Sequence, residues 1–225
     1  MHPVSVIVDQ NTWTVAALGA LAYLVGSIPV GWLLARARGV EVRRLGSGNV
    51  GTSNIYRNVD TGLAVVVGPT QFLQGLAPVL AARALGFDTG GLVLAALCAV
   101  IGNGWPIWLG FNGGRGIAVA TGAVAALNPW ALVALLACYA AGAVLHEIAE
   151  GVLGGFVLLP LVAAVVAGPG LAVGCVGLLI LVLLRRLEGV TTDVRRYGHP
   201  WRLVAMRLVR DERPGRPLVG RRTDA

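Results

Sequence analysis

The chain has 225 residues, 56% of them hydrophobic and 13% charged, with a formal net charge of +7. A mean hydropathy of +0.75, with no long polar region before Arg185, excludes an ordinary water-soluble domain and predicts an integral membrane protein. All 18 basic residues are arginine. No lysine is present to act as a nucleophile or form a Schiff base, and a pI near 10.3 fits anionic lipid better than nucleic acid.

The first apolar run begins near Trp13 with neither a basic lead nor a small-residue cleavage site, so it reads as a spanning helix rather than a removable signal peptide. That run covers 13 to 35. Others follow at 61 to 82, 90 to 104, 116 to 127, 131 to 145, 151 to 167 and 170 to 184, predicting an all-α bundle of about seven transmembrane helices. Several fall short of the ~20 residues that cross ~30 Å of hydrocarbon, so some must borrow loop residues, thin the bilayer or be partly re-entrant. Arg36, Arg38, Arg43, Arg44 and Arg57 follow the first run, Arg115 the third, and eleven more the last. A cytoplasmic first loop therefore places 17 of the 18 arginines inside and leaves Arg83 outside. The positive-inside rule then predicts an outside N-terminus and a cytoplasmic C-terminus.

Connections LNPW (127 to 130) and AGPG (167 to 170) read as turns built on proline and glycine. The small residues of GVLGG (151 to 155) suit close helix packing. Cys98, Cys138 and Cys175 lie far apart in apolar runs and read as small hydrophobes, not as a disulfide or zinc ligands. LHEIAEG (145 to 151) sets His146 and Glu150 four apart on one helical face, but it is not H-E-x-x-H and reads as a hydrated helix end. Residues 191 to 225 form a basic cytoplasmic tail beside a membrane domain of residues 1 to 190. Trp201, Leu203, Val204 and Leu208 are expected against inner-leaflet lipid, and the final residues disordered.

Two polar loops share the predicted cytoplasmic face. In GSGNVGTSNIYR (46 to 57), Gly46, Gly48 and Gly51 can leave backbone N–H groups uncovered, Ser47, Asn49, Thr52, Ser53 and Asn54 offer neutral hydrogen bonds, and Arg57 adds a guanidinium. FNGGRG (111 to 116) repeats the recipe: Gly113 and Gly114 can expose amides, Arg115 supplies charge, and Gly116 leads into an apolar helix whose positive dipole end favours an anion. Converging donors and guanidinium forks suit phosphate. A mobile surface loop is the alternative reading of the first stretch, since glycine-rich patterns are weak signals.

GSIPVG (26 to 31), GSGNVGTSNIYR and GNGWPIWLGFNGGRG (102 to 116) together resemble the PlsY family of acyl-phosphate:glycerol-3-phosphate acyltransferases in order, spacing and membrane setting. The resemblance covers about residues 15 to 190. It implies a seven-span inner-membrane enzyme, without cofactor, that moves a fatty acyl group from acyl phosphate to the 1-hydroxyl of glycerol 3-phosphate, forming lysophosphatidic acid. It also implies catalytic roles for Ser47, Arg57 and Arg115, with Gly46, Gly48, Asn49, Gly51, Asn54, Asn103, Asn112, Gly113 and Gly114 binding substrate.

The chain departs from the family pattern in places. TQFLQG (70 to 75) has Gln71 and Gln74 where the family has an acid and a lysine, which reads as an ion pair lost as a unit. Asn103 replaces a histidine, Asn112 a lysine, and LLRRLEG (183 to 189) keeps only part of a C-terminal motif without its His and Asn. These losses leave open a paralogue that binds anionic lipid or phosphate without chemistry. No Ser/His/Asp set or H-x-x-x-x-D signature is present, so a substrate phosphate, with a second pKa of about 6, is expected to take the attacking hydroxyl's proton.

Overall fold

A computed structural model describes residues 11 to 197 and 199 to 210, and every regular element among them is helical. The α-helices are α1 (Thr12–Ser27), α2 (Val30–Ala37), α3 (Thr52–Asn58), α4 (Thr61–Ala84), α5 (Thr89–Gly104), α6 (Ile117–Leu127), α7 (Pro129–Val144), α8 (Ile148–Ala167), α9 (Pro169–Leu187), α10 (Val190–Tyr197) and α11 (Pro200–Ala205). Five stretches are long and apolar enough to cross a membrane: Thr12–Ala37, Thr61–Ala84, Thr89–Leu109, Ile148–Ala167 and Pro169–Arg195. The other two predicted runs are α6 and α7, apolar but shorter. At ~1.5 Å per residue, α6 rises only ~16 Å, about half the hydrocarbon core.

Side chains mark where several helices begin. Asn11, Asp60, Asp88 and Asn128 accept first-turn N–H bonds of α1, α4, α5 and α7. Asn128 ends α6 and starts α7, with Pro129 in the first turn, while Gly168 at φ +89° turns α8 into α9. Both predicted turns are thus turns between antiparallel neighbours.

Helix α5 sits centrally, packing on α1, α4, α6 and α9. Glycines let the backbones approach. A Cβ on Gly26 of α1 would lie 2.0 Å from Ala99 O of α5, and one on Gly102 of α5 would lie 2.1 Å from Tyr23 O of α1. Gly75 of α4 and Gly122 of α6 are related in the same way, facing Val119 O at 1.8 Å and Phe72 O at 1.9 Å. In a bilayer such contacts supply the helix association that water cannot drive. Gly75→Ala must force α4 and α6 apart, so a loss of at least the ~1–3 kcal/mol typical of overpacking is expected. Thermal unfolding in detergent checks this against Gly154→Ala, where a new Cβ meets nothing within 4 Å and the melting temperature should hold.

The α1–α2 break at Ile28 and Pro29 takes backbone carbonyls out of the regular helical ladder. Gln74 Nε2 donates to two of them, Val25 O at 3.0 Å and Ile28 O at 2.8 Å, whereas Gln71 Oε1 accepts from Thr52 Oγ1 at 3.0 Å. The two glutamines therefore serve separate neighbours in this chain.

The tail also differs from expectation. Leu203 is buried in protein rather than set against lipid, while Trp201 is exposed. Arg186, itself buried, donates to Leu208 O, to Val209 O at 3.4 Å and to Ala149 O at 3.1 Å, and Arg207 pairs with Asp193. Unsatisfied guanidinium donors and free carbonyl groups at the bundle end draw the segment inward. The expected disorder of the final residues concerns positions outside those described.

Candidate active site

The loop before α3 is organised by Asn54, which is 3% exposed. Its Nδ2 donates to Val42 O, Leu45 O and Asn49 O at 3.2, 3.2 and 2.8 Å, and its Oδ1 accepts from Ser47 N–H at 3.1 Å and Asn58 Nδ2 at 3.0 Å. All of that amide's capacity is spent within the loop. Gly46, at φ +47°, has no room for a Cβ, which would lie 2.3 Å from Asn58 Nδ2. Gly48 N–H donates to Leu45 O at 2.8 Å and Gly51 N–H to Asn49 Oδ1 at 2.8 Å. The amides of residues 47, 48 and 51 thus hold the loop's own shape, which corrects the expectation that Gly48 and Gly51 present uncovered amides.

Uncovered donors lie one step further on. The first N–H groups of a helix have no partner within it, and Gly51, the N-cap of α3, has no side chain to supply one. Thr52 and Ser53, which carry them, line a cleft of about 520 Å³. Asn49 and Gly51 line it too. Ser47 stands behind them, its Oγ accepting from Asn49 Nδ2 at 2.9 Å, and Arg57 is exposed on the last turn of α3. Neither Ser47 nor Arg57 is among the residues lining the cleft.

The second loop reaches the same cleft. Gly113 N–H donates to Gly104 O at 3.1 Å and Gly114 N–H to Asn103 O at 2.9 Å. The expected amide cradle at Gly113 and Gly114 is therefore corrected, because both amides fold the loop back on α5. Their carbonyls are taken as well: Arg185 Nε donates to Gly114 O at 2.9 Å and Arg185 Nη2 to Gly113 O at 3.0 Å. Arg185 is 4% exposed, lies 5.1 Å from the Trp105 ring centroid and pairs with Glu188. With both peptides so fixed, Arg115 lines the cleft at 7% exposure, and Gly116, at φ +74°, opens α6 without a side-chain cap. Ile117 and Ala118 bring the first turn of α6 to the cleft wall.

Asn103 is buried and lines the cleft, whereas Asn112 is exposed and does not. Sequence reasoning missed Thr121 and Tyr139 on the far wall, and the Arg185 latch. Arg185 had a visible signal, a cation at the end of an apolar run. The other two had only a lone hydroxyl each in an apolar helix.

Glu41 secures the approach to the first loop. Its carboxylate accepts from Arg43 Nε at 2.8 Å, Arg43 Nη2 at 3.1 Å and Trp32 Nε1 at 3.3 Å, while Arg36 and Arg43 lie 5.2 and 5.8 Å from the Trp32 ring centroid. The Arg43 guanidinium hydrogen bonds hold this carboxyl at about 2 against an ordinary 4.5. A depressed carboxyl stabilises the fold fully above its unfolded value, and that contribution fades as pH falls from 4.5 toward 2. Trp32 emission is expected to change over that acid window in wild type and to lose the step in Glu41→Gln; identical titrations would remove this anchor.

Comparison with known proteins agrees with this arrangement. A family model described as glycerol-3-phosphate acyltransferase matches residues 16–192. A glycerol-3-phosphate acyltransferase of Geobacter sulfurreducens is 38% identical, the match covering 77% of this chain and 90% of that protein. One from Rubrobacter xylanophilus is 44% identical over a stretch covering 53% of this chain and 64% of its own length. A crystal structure of PlsY, an integral membrane glycerol 3-phosphate acyltransferase in its glycerol 3-phosphate form, superposes with a TM-score of 0.72 at 28% identity, covering 83% of this chain and 94% of that one. Its lysophosphatidic acid form gives a TM-score of 0.70. From the two loops, the helix starts that meet at one cleft and the match across most of its length, the chain belongs to the glycerol-3-phosphate acyltransferase family.

Proposed function

We propose that the cleft transfers a fatty acyl group from acyl phosphate to the 1-hydroxyl of glycerol 3-phosphate, forming lysophosphatidic acid and inorganic phosphate. The observation that carries this reading is the cleft's charge: among the described residues lining it, Arg115 is the only charged one, and it stands beside the uncapped first turns of α3 and α6. Both substrates are phosphates. Helix N-termini and a guanidinium favour such anions, and relatives of this chain carry the names of the acceptor and of the product.

In the reaction the 1-hydroxyl oxygen attacks the acyl carbonyl carbon. The new ester C–O bond forms as the acyl–phosphate C–O bond breaks, its electron pair leaving on phosphate. No carboxylate or imidazole lines the cleft among the described residues, so the hydroxyl proton passes to a phosphate oxygen, whose second pKa is about 6. Arg115 and the two helix starts stabilise the charge on the leaving phosphate. Asn49, held by Ser47, and Asn103 orient the substrates, and Arg57 meets incoming phosphate from the cytoplasmic side. Seven passes, an outside N-terminus and an inner bacterial membrane put this cleft where soluble glycerol 3-phosphate and a lipid-borne acyl donor meet. The tail from residue 191 is a cytoplasmic appendage to that membrane unit.

Purified protein given labelled glycerol 3-phosphate with either palmitoyl phosphate or palmitoyl-CoA tests the proposal. Lysophosphatidic acid is expected from palmitoyl phosphate alone. Product from the CoA thioester alone would overturn the donor assignment.

A further inference from the structure

We infer that Tyr139 positions the acceptor by accepting a hydrogen bond from the 2-hydroxyl of glycerol 3-phosphate, an inference that rests on the reading of the cleft given above. The argument begins with one hydrogen atom. Thr121 Oγ1 lies 2.8 Å from Ile117 O, to which it can only donate, and 3.0 Å from Tyr139 Oη. A threonine hydroxyl carries a single hydrogen, so with that hydrogen on Ile117 O the Tyr139 O–H must donate to Thr121. The tyrosine oxygen is left as an acceptor in the cleft wall.

Two amide oxygens on the same lining are already engaged. Asn49 Oδ1 is occupied by Gly51 N–H, and Gln71 Oε1 by Thr52. The helix starts and Arg115 are donors, suited to phosphate oxygens. A glycerol hydroxyl needs the opposite, an acceptor for its hydrogen. Thr121 sits one turn into α6 and bonds back to Ile117 O, so this acceptor lies alongside the first turn of the helix, inward of its start. A three-carbon chain tethered by its phosphate at the start of α6 brings its hydroxyls to that depth.

The chemistry selects the 2-hydroxyl over the 1-hydroxyl. The reacting hydroxyl must give up its proton, and the Tyr139–Thr121–Ile117 chain ends at a backbone carbonyl, which carries no proton away. The Tyr139 ring is meanwhile packed against the core cluster that contains Val119 and Leu135. It is a fixed positioning group, not a base.

The test compares glycerol 3-phosphate with its 2-deoxy analogue, 3-hydroxypropyl phosphate, as acceptors from palmitoyl phosphate. Wild type is expected to prefer glycerol 3-phosphate by about five- to tenfold in kcat/KM, the value of one good neutral hydrogen bond. Tyr139→Phe keeps the ring, and the preference should fall to about twofold or less, the loss falling on glycerol 3-phosphate. Thr121→Val keeps the tyrosine oxygen and should retain most of the preference. If Tyr139→Phe slows both acceptors equally, the pair is only a staple between α6 and α7 and the inference is overturned. An unchanged preference in Tyr139→Phe, or one lost in Thr121→Val alone, overturns it as well. Wild type that acylates neither acceptor fails the functional reading itself, an outcome distinct from any of these.

Discussion

Arg115→Gln is expected to lower kcat/KM for glycerol 3-phosphate by about 100- to 1,000-fold, the loss seen when one preorganised donor to a developing anion is removed. Arg115 lines the cleft at 7% exposure and supplies the only charge on its lining among the described residues. A charge so withdrawn from water acts on a phosphate through a lower effective dielectric than a surface arginine does. Glutamine keeps a donor and most of the length but no charge. Arg115→Lys keeps the charge and loses the fork, so activity within about tenfold of wild type is expected. Steady-state kinetics on the three proteins checks the order wild type, lysine, glutamine. Equal rates for wild type and Arg115→Gln would remove this residue from the site.

Arg185→Ala is expected to cost about 10- to 100-fold in turnover, although Arg185 is not among the residues lining the cleft. Its Nε and Nη2 hold the carbonyls of Gly114 and Gly113, the two residues before Arg115, and its remaining arm pairs with Glu188. Removing the guanidinium strands two buried carbonyls, at about 1–3 kcal/mol for each one left unpaired. The glycine turn then relaxes and displaces Arg115, and small misplacements of positioning groups are costly in rate. Arg185→Lys satisfies at most part of the fork and should fall between. Because the latch acts through Arg115, Arg185→Ala combined with Arg115→Gln should be little worse than Arg115→Gln alone. Additive losses would mean that Arg185 acts by another route.

The apolar runs were legible as helices because a bilayer demands long apolar stretches: the run at 61 to 82 is helix Thr61–Ala84, and the run at 151 to 167 lies within Ile148–Ala167. The meeting of the two loops was legible from arginine bias and alternation, and the cleft does bring Asn49 and Gly51 together with Asn103 and Arg115. What the glycines do inside those loops was not legible. Whether Gly113 and Gly114 show their amides to a ligand depends on Gly104, Asn103 and an arginine about seventy positions away. Local composition carries no record of such partners. Gln74 was likewise opaque, since its role is set by carbonyls at the helix break after α1. Tyr139 and Thr121 become a pair only when α6 and α7 fold side by side.

The most direct test of the acyltransferase account is phosphate release from palmitoyl phosphate by the purified full-length protein, followed with and without glycerol 3-phosphate. The account predicts release that depends on glycerol 3-phosphate and equals the lysophosphatidic acid formed, mole for mole. Binding of glycerol 3-phosphate without any phosphate release, or release at the same rate whether or not the acceptor is present, would contradict it.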